Sequence, residues 1–316
     1  MEWIIAVPSP ALQQLSATTW AWVNDRPDWG FSNCGIVASD GQALLVDTQF
    51  TLQATRDLLD AIAVALPGSE ISTVVNTHAN GDHTWGNQLV EGAQVITSER
   101  SARHACSEIG PEQITALCAL GDATAVGSYV AKHFGRFDFS GITVSGPTQT
   151  FSGWLEVKVG QTLVELLDLG RGHSAGDVAV HVPEDGIVFA GDTLFSGSHM
   201  VVWSRSLSAC IAVCERLLAT GAETFVPGHG PVMGRADVVA FRDRLVLVAR
   251  TAGQQVRAGV PLAEAARLVM AEHAGSWVHP ERLFTQVAAA YAQAGAPDVP
   301  AETLAAVEGM AALARG

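Results

Sequence analysis

The 316-residue sequence predicts an α/β fold, because short apolar runs alternate with segments of helical periodicity. The runs 32–39 and 42–47 are joined by Asp40-Gly41, which is a strong hairpin signal. The segment 52–66 has apolar residues at 58, 59, 62 and 66 and stops before Pro67-Gly68, as a helix does. The same alternation returns after residue 154, so the fold class extends along most of the chain.

The other elements follow in order. Strands are predicted at 12–23, 71–76, 93–97, 163–169, 178–182, 187–192 and 225–229, and a helix at 207–218. Residues 99–147 break the pattern, because 98–109, 112–120 and 126–134 have helical spacing. The tail also contains helical segments at 262–273, 281–294 and 301–314. We therefore predict a main domain over 1–234 that contains a helical insertion at 99–147, and a helical C-terminal extension over 235–316.

Composition limits the function classes. The net charge is −14, with only two lysines, Lys132 and Lys158, so a nucleic-acid partner is disfavoured. No run of 18 apolar residues and no basic stretch before an apolar one occurs near the start, so a membrane span and a signal peptide are not expected. A cytoplasmic location is the default prediction. Five cysteines without a Cys-x-x-Cys pattern predict free thiols.

Side chains that bind metals follow several predicted strands. His78-Ala79-Asn80-Gly81-Asp82-His83 comes directly after the run 71–76, and three further residues of this type, His173, Asp192 and His229, each lie in a glycine-containing segment at a strand end. Open sheets place their sites at such ends. Imidazole and carboxylate are ligands that zinc accepts, and a catalytic zinc uses about three protein ligands with one position left open. The sequence therefore predicts a metal site.

Other histidines are given a different interpretation. His104, His133, His181 and His273 are predicted to be core or surface residues, not ligands. His181 alternates with Val180 and Val182, and it is therefore predicted to face solvent.

The four metal-ligand segments, in this order and spacing, resemble the metallo-β-lactamase superfamily of metal-dependent hydrolases across residues 30–234. The resemblance implies a four-layer αββα sandwich and two metal sites. The first would use His78 and His173 with Asn80 or water, the second would use Asp82, His83 and His229, and Asp192 would bridge both. Asn80 stands where the family has its second histidine, and an amide oxygen is a poorer zinc ligand than an imidazole nitrogen. We expect zinc, with one firm site and one weak or empty site, although iron or manganese would also suit these ligands.

The same resemblance implies hydrolysis of an ester, thioester or lactone carbonyl by metal-bound hydroxide. Asp82 and His199 are the predicted catalytic residues, although His199 could equally be a loop residue that points to water. Trp85, Met200 and Trp203 are predicted to contact a hydrophobic small-molecule substrate, because aromatic and apolar walls suit such a ligand.

Several alternatives stay open at this point. The chain could be a polyketide thioesterase-cyclase of natural-product biosynthesis, or a metal-stabilised binding protein without activity. The insertion 99–147 could be a lid over the site or a buttress against the sheet. The C-terminal helices could complete the pocket or form a homodimer contact.

Overall fold

The fold was analysed in a computed structural model that describes residues 10–297 and 299–315. Its strands are β1 Ala11–Gln14, β2 Thr19–Val23, β3 Cys34–Ser39, β4 Gln42–Val46, β5 Glu70–Val75, β6 Gln94–Ser98, β7 Gln149–Phe151, β8 Trp154–Val159, β9 Thr162–Gly170, β10 Asp177–Val182, β11 Ile187–Phe195, β12 Thr224–His229 and β13 Met233–Gly234. Among the described residues they form two mixed sheets, ordered β1-β2-β3-β4-β5-β6-β7 and β13-β12-β11-β10-β9-β8.

Helices cover the outer faces of the two sheets. They are α1 Leu52–Ala65, α2 Gly81–Thr84, α3 Glu99–His104, α4 Pro111–Leu120, α5 Ala125–Phe134, α6 Leu207–Ala219, α7 Arg235–Arg257, α8 Leu262–His273, α9 Leu283–Gln293 and α10 Thr303–Leu313. Thr51 and Ser206 begin α1 and α6 by accepting a hydrogen bond from a backbone N–H of the first turn. None of the helices in the described part of the chain is both long and apolar enough to cross a membrane.

Three apolar clusters hold the layers together. The middle cluster lies between the sheets and contains Val37 from the first sheet and Phe189 from the second. Ile36, the neighbour of Val37, points the other way and packs with Leu58 of α1. A third cluster joins the second sheet to α6 and to the C-terminal helices, with Phe241 of α7 fully buried. The predicted four-layer αββα sandwich with a helical C-terminal region is confirmed.

The first predicted strand is in fact a hairpin. Residues 12–23 form β1 and β2, which pair antiparallel around a short turn. Hydroxyl groups of Ser16, Thr18 and Thr19 all donate to one carboxylate oxygen of Asp185, at 2.5, 2.6 and 2.5 Å. The turn is thereby tied to the second sheet.

The prediction that His181 faces solvent is wrong. β10 lies inside the second sheet between β9 and β11, and helices cover the face that the alternation assigned to water. His181 is buried and its Nδ1 lies 2.8 Å from a carboxylate oxygen of Glu165. The cysteine prediction is confirmed, since all five are free thiols.

Candidate metal centre

The structure brings all seven predicted ligand residues together at one edge of the two sheets. They come from the segment after β5 that includes α2, from the β9–β10 loop, from β11 and from the end of β12; the residues are His78, Asn80, Asp82, His83, His173, Asp192 and His229. The four imidazoles and the Asp192 carboxylate are buried, whereas Asn80 and Asp82 are partly exposed. We call this group the seven-residue cluster.

One half of the cluster, here the first half, consists of His78, Asn80 and His173. Oδ1 of Asn80 lies 3.1 Å from Nε2 of His78 and 2.9 Å from Nε2 of His173. Oδ2 of Asp192 lies 3.9 and 3.6 Å from the same two nitrogens. Two imidazole nitrogens, the amide oxygen and one carboxylate oxygen therefore face one another in this half.

The second half consists of Asp82, His83 and His229. Oδ1 of Asp192 lies 3.1 Å from Nε2 of His83 and 3.3 Å from Nε2 of His229. Nε2 of His229 is also 3.4 Å from Oδ2 of Asp82. Asp192 thus turns one carboxylate oxygen towards each half. Asp82, His83 and His229 of the second half are close enough to hold one ion, and so are His78, His83 and Asp192, which span the two halves.

Hydrogen bonds at the far side of the imidazoles fix which nitrogen faces inward. Nδ1 of His83 donates to Asp47 at 2.9 Å, that of His173 to the Val201 carbonyl at 2.8 Å, and that of His229 to the Phe31 carbonyl at 3.0 Å. In the neutral form of each ring, Nε2 then carries a lone pair that faces other acceptors. Nε2 of His83 and Oδ1 of Asp192 are buried without a hydrogen-bond partner among the described residues. A cation between these atoms would satisfy them, so the donor set fits a metal.

Asn80 is oriented by the insertion. Its Nδ2 donates to Oε2 of Glu108 at 2.7 Å, so its Oδ1 is the atom that faces the two histidines. The other oxygen of Glu108 lies 3.0 Å from Nε2 of His104. His104 therefore supports Glu108 and, as predicted, does not belong to the cluster.

The backbone of the loop that carries His229 packs closely against the Asp192 carboxylate. A Cβ at Gly228 would overlap Oδ1 of Asp192, so this position needs glycine. Asn33 holds the loop that carries Gly228 and His229: its Nδ2 donates to the Pro227 and Gly230 carbonyls, each at 2.8 Å.

Electrostatics favours the metal-binding forms of Asp192 and His78 but not that of His83. Burial alone would raise the pKa of Asp192, but the nearby His229, His83 and His173 hold it well below its usual range. Burial and the neighbouring His83 lower the pKa of His78 well below its usual range. Asp192 is therefore an ionised carboxylate and His78 a neutral imidazole, and both are the forms that a metal binds. Burial alone would lower the pKa of His83, but the carboxylates of Asp192, Asp82 and Asp47 raise it well above its usual value, so a metal would displace a proton from this ring.

The cluster forms one end of a pocket with mostly apolar walls. The insertion contributes Ile109, Ile114, Leu117, Tyr129, Val130 and Phe134, and the C-terminal extension contributes Arg282, Thr303, Leu304 and Val307. Both segments therefore line the pocket, although the sequence left their positions open. A homodimer through the C-terminal helices stays a prediction.

Of the three predicted substrate-binding residues, one lines the pocket and two do not. Trp203 lines the pocket. Trp85 does not: it is buried behind α2, stacks on Phe50 with ring centroids 4.9 Å apart, and occupies the space that a side chain at Gly81 would need. Met200 is buried in the large apolar cluster next to the C-terminal helices. These two residues support the walls from behind.

His199 is also placed away from the pocket. It is buried, its Nε2 donates to the Ala274 carbonyl at 2.9 Å, and its ring lies against Trp277. Burial lowers the pKa of His199 to about 4. His199 therefore takes no part in the mechanism that we propose, whereas Asp82 lies in the cluster and lines the pocket.

Sequence reasoning missed Asp47, Asn33 and Arg282. Asp47 ends the predicted strand 42–47 and has a φ of 62°, which is uncommon for a non-glycine residue. A carboxylate directly after an apolar strand was a usable signal. Arg282 gave no such signal, because it begins an alanine-rich helix in the sequence.

Comparison with known families agrees with this geometry. The family model described as the metallo-beta-lactamase superfamily matches residues 27–229, a range that contains the whole cluster. The chain belongs to the metallo-β-lactamase superfamily. The predicted resemblance to this superfamily, whose members are metallo-hydrolases, is confirmed.

Individual relatives are distant. The α subunit of 2,4-dinitroanisole O-demethylase from Nocardioides sp. is 24% identical over 72% of this chain and 61% of its own length. The acyl-coenzyme A thioesterase MBLAC2 of Gallus gallus is 24% identical over 67% of this chain and 78% of its own. The solved sec-alkylsulfatase Pisa1 from Pseudomonas sp. aligns with a TM-score of 0.68 at 16% identity, over 90% of this chain and 50% of its own. The alignment thus spans about three fifths of the demethylase subunit, and the alkylsulfatase likeness shows the fold alone.

Proposed function

We propose that this superfamily member hydrolyses an ester, thioester or lactone bond in a hydrophobic small molecule, with zinc held by the seven-residue cluster. One observation carries the proposal: the cluster forms the end of a pocket whose other walls are mainly apolar side chains. Such a pocket binds an apolar molecule and leaves one polar place for the reacting bond.

The donor atoms suit zinc. Each half offers two imidazole nitrogens and a share of Asp192, to which the second half adds a carboxylate and the first half an amide oxygen. A zinc ion bound here would lower the pKa of a bound water to about 7 and polarise the substrate carbonyl. The second half is proposed to be the firm site and the first half the weak one.

The protein's own side chains transfer the proton, orient a metal ligand and exclude water. Asp82 is less buried than Asp192 and lines the pocket, so its carboxylate can accept a proton from the attacking water and return it to the leaving group. Asp47 fixes the ring of His83 from behind. The apolar walls exclude bulk water, which strengthens the electrostatic interactions at the reacting bond.

The relatives support an acyl bond as the target, since one of them is named as an acyl-coenzyme A thioesterase. Another is named as a subunit of an O-demethylase of 2,4-dinitroanisole, so an aryl methyl ether is a reasonable comparison substrate.

The test is a substrate panel on zinc-loaded protein. Esters, thioesters and lactones of equal acyl length, with anisole derivatives beside them, would be incubated in ¹⁸O-labelled water. We expect turnover of at least one acyl class, with one label atom in the acid product and none when Asp192→Ala replaces the wild type. Fully metallated protein that hydrolyses no member of the panel, or a cyclised product without label, would overturn the proposal.

A further inference from the structure

One cation lies in the pocket without a carboxylate partner. Arg282 ends the short turn Pro280–Arg282 before α9, is 1% exposed, and is the largest of the fully buried side chains. It is the only lysine or arginine among the described residues that line the pocket. Among those residues no carboxylate forms an ion pair with it, and its Nε has no hydrogen-bond partner.

Neighbouring groups hold the guanidinium in place, and the charges of Glu281, Asp192 and Asp28 act on it from beyond ion-pair distance. Its central carbon lies 3.9 Å from the centre of the Trp29 ring and 5.7 Å from that of Phe195, which is cation–π geometry. Nη1 donates to the carbonyl oxygen of His199 at 3.2 Å. Glu281, its neighbour in sequence, instead accepts hydrogen bonds from Tyr129 at 3.0 Å and His279 at 3.2 Å.

A buried charge of this kind is costly unless something pairs with it. Burial lowers the pKa of Arg282, but a guanidinium stays charged at neutral pH. Of the other charged groups that line the pocket, Asp82 and Asp192 belong to the cluster, and Glu108 bonds to Asn80 and His104. The remaining donors of Arg282 are therefore free for a group that enters the pocket from solution.

Arg282 also stands close to the chemistry. Phe195, which lies under its guanidinium, stacks on the imidazole of His229 with centroids 5.2 Å apart and an interplanar angle of 11°. A molecule in the pocket can therefore contact Arg282 and the cluster at the same time.

We propose that Arg282 binds an anionic oxygen group of the substrate, such as a carboxylate or a sulfonate, while the scissile bond lies over the cluster. The substrate is then amphiphilic, with its apolar part against Leu117, Leu304 and Val307. The planar fork of a guanidinium matches such a group with two parallel hydrogen bonds. This inference rests on the proposed function only where it calls the bound molecule a substrate. Anion binding itself can be measured without any reaction.

The first experiment is therefore a binding measurement. Calorimetry would compare 1-hexanesulfonate with 1-hexanol on zinc-loaded protein, because the two probes share a chain and a sulfonate is a weak zinc ligand. We expect the wild type to prefer the sulfonate roughly tenfold or more, as a charge-assisted hydrogen bond allows. Arg282→Met should abolish the preference and leave hexanol binding unchanged, and Arg282→Lys should keep part of it.

Arg244 supplies the matched control. Its guanidinium also stacks on a tryptophan, 4.3 Å from the centre of Trp277, and donates to the carbonyls of His273 and Ala274, but it does not line the pocket. Arg244→Met should keep the full sulfonate preference. Circular dichroism and zinc content would verify the fold of each variant.

The second experiment uses activity. 4-Nitrophenyl octanoate and the 4-nitrophenyl monoester of suberic acid share a leaving group and a chain length and differ in one terminal carboxylate, which is too far from the ester to expel the leaving group by ring closure. We expect Arg282→Met to raise the KM of the anionic ester, relative to that of the neutral ester, about tenfold, whereas Arg244→Met should leave the kinetics of both esters unchanged. A wild type without sulfonate preference, or an Arg282→Met protein that retains it, would overturn the anion site. A protein that binds the sulfonate through Arg282 but hydrolyses no ester would overturn the proposed function instead.

Discussion

The two halves of the metal centre differ in the charge that they present to an ion. Both halves use two imidazoles and share Asp192, but the second half adds the Asp82 carboxylate where the first half adds the Asn80 amide. A carboxylate attracts a divalent cation by charge as well as by its lone pairs, and an amide does so only by its dipole. The residues that hold the imidazoles from behind also differ between the two halves. Asp47 bonds directly to His83 of the second half, whereas it reaches His78 of the first half only through the Thr77 hydroxyl. The two proposed metal positions are therefore expected to bind an ion with unequal strength.

The largest effect on activity and metal content is expected from Asp192, the residue that the two halves share. Asp192→Ala removes a donor from both halves, so both ions should be lost together and kcat/KM should fall roughly a thousandfold, since metal catalysis is worth several kcal/mol. Metal content by mass spectrometry and steady-state kinetics would measure this. Asp185→Ala, which removes a carboxylate from the hairpin contact far from the centre, should leave the metal content unchanged. Normal turnover by Asp192→Ala would remove this residue from the bridging position.

The next prediction concerns Asp47 and Thr77, which hold the imidazoles from behind. Asp47→Ala removes the partner of His83, and loss of such a partner typically weakens metal affinity about 10–100-fold. Thr77→Val removes, at nearly constant volume, the hydroxyl that lies between His78 and Asp47, and it should weaken the first half more than the second. Competition with a fluorescent zinc chelator would give both affinities. Equal effects of the two variants on the tighter ion would show that the halves do not differ in the way described.

Asn80→His would make the two halves more alike. It replaces the amide oxygen with an imidazole, so the first half should gain occupancy and the metal content should rise towards two ions per chain. Asn80→Ala is the opposite change and should lower occupancy of the first half without affecting the second. If the metal content is the same for all three proteins, Asn80 does not contribute to binding.

The smallest effect is expected from the residue that orients the amide. Glu108→Ala removes the acceptor for Nδ2 of Asn80, so Asn80 should become mobile and the weaker ion should bind severalfold less tightly. Exposed Glu99 on the neighbouring helix α3 offers a control in Glu99→Ala. In the Asn80→His background Glu108→Ala should have a different effect, because the amide that Glu108 orients is then absent.

The strand ends explain why the cluster could be predicted from the sequence. Each ligand follows an apolar run at a short distance, and the ends of neighbouring strands must meet at a sheet edge. Local sequence therefore carried the information about His78, His83 and His229. Asn80 is predicted to be the weak position from the resemblance to the superfamily, which has a histidine there, and only the structure shows that Glu108 turns its oxygen inward.

Residues whose environment comes from distant segments could not be predicted in this way. Arg282 is buried because Trp29, from the loop after β2, covers its guanidinium, and no local pattern records that contact. Trp85 is close to the motif in sequence, but the short helix α2 turns its ring away from the pocket towards Phe50. His181 shows the limit of the alternation rule, which assumes that one face of a strand meets water. In the second sheet both faces of β10 are covered.

The pocket wall formed by α10 has a thermodynamic consequence. Leu304 and Val307 line the same cavity as Asp82 and His229, so a molecule that contacts both sides binds only while α10 is docked. By linkage, such a ligand must stabilise the docked state by RT ln(1 + [L]/Kd), about 2.7 kcal/mol when its concentration is 100 times Kd. The rate at which a protease cuts near α10 would then fall as the pocket fills. Protection of the tail would report occupancy for any compound, including those that the protein binds but does not convert.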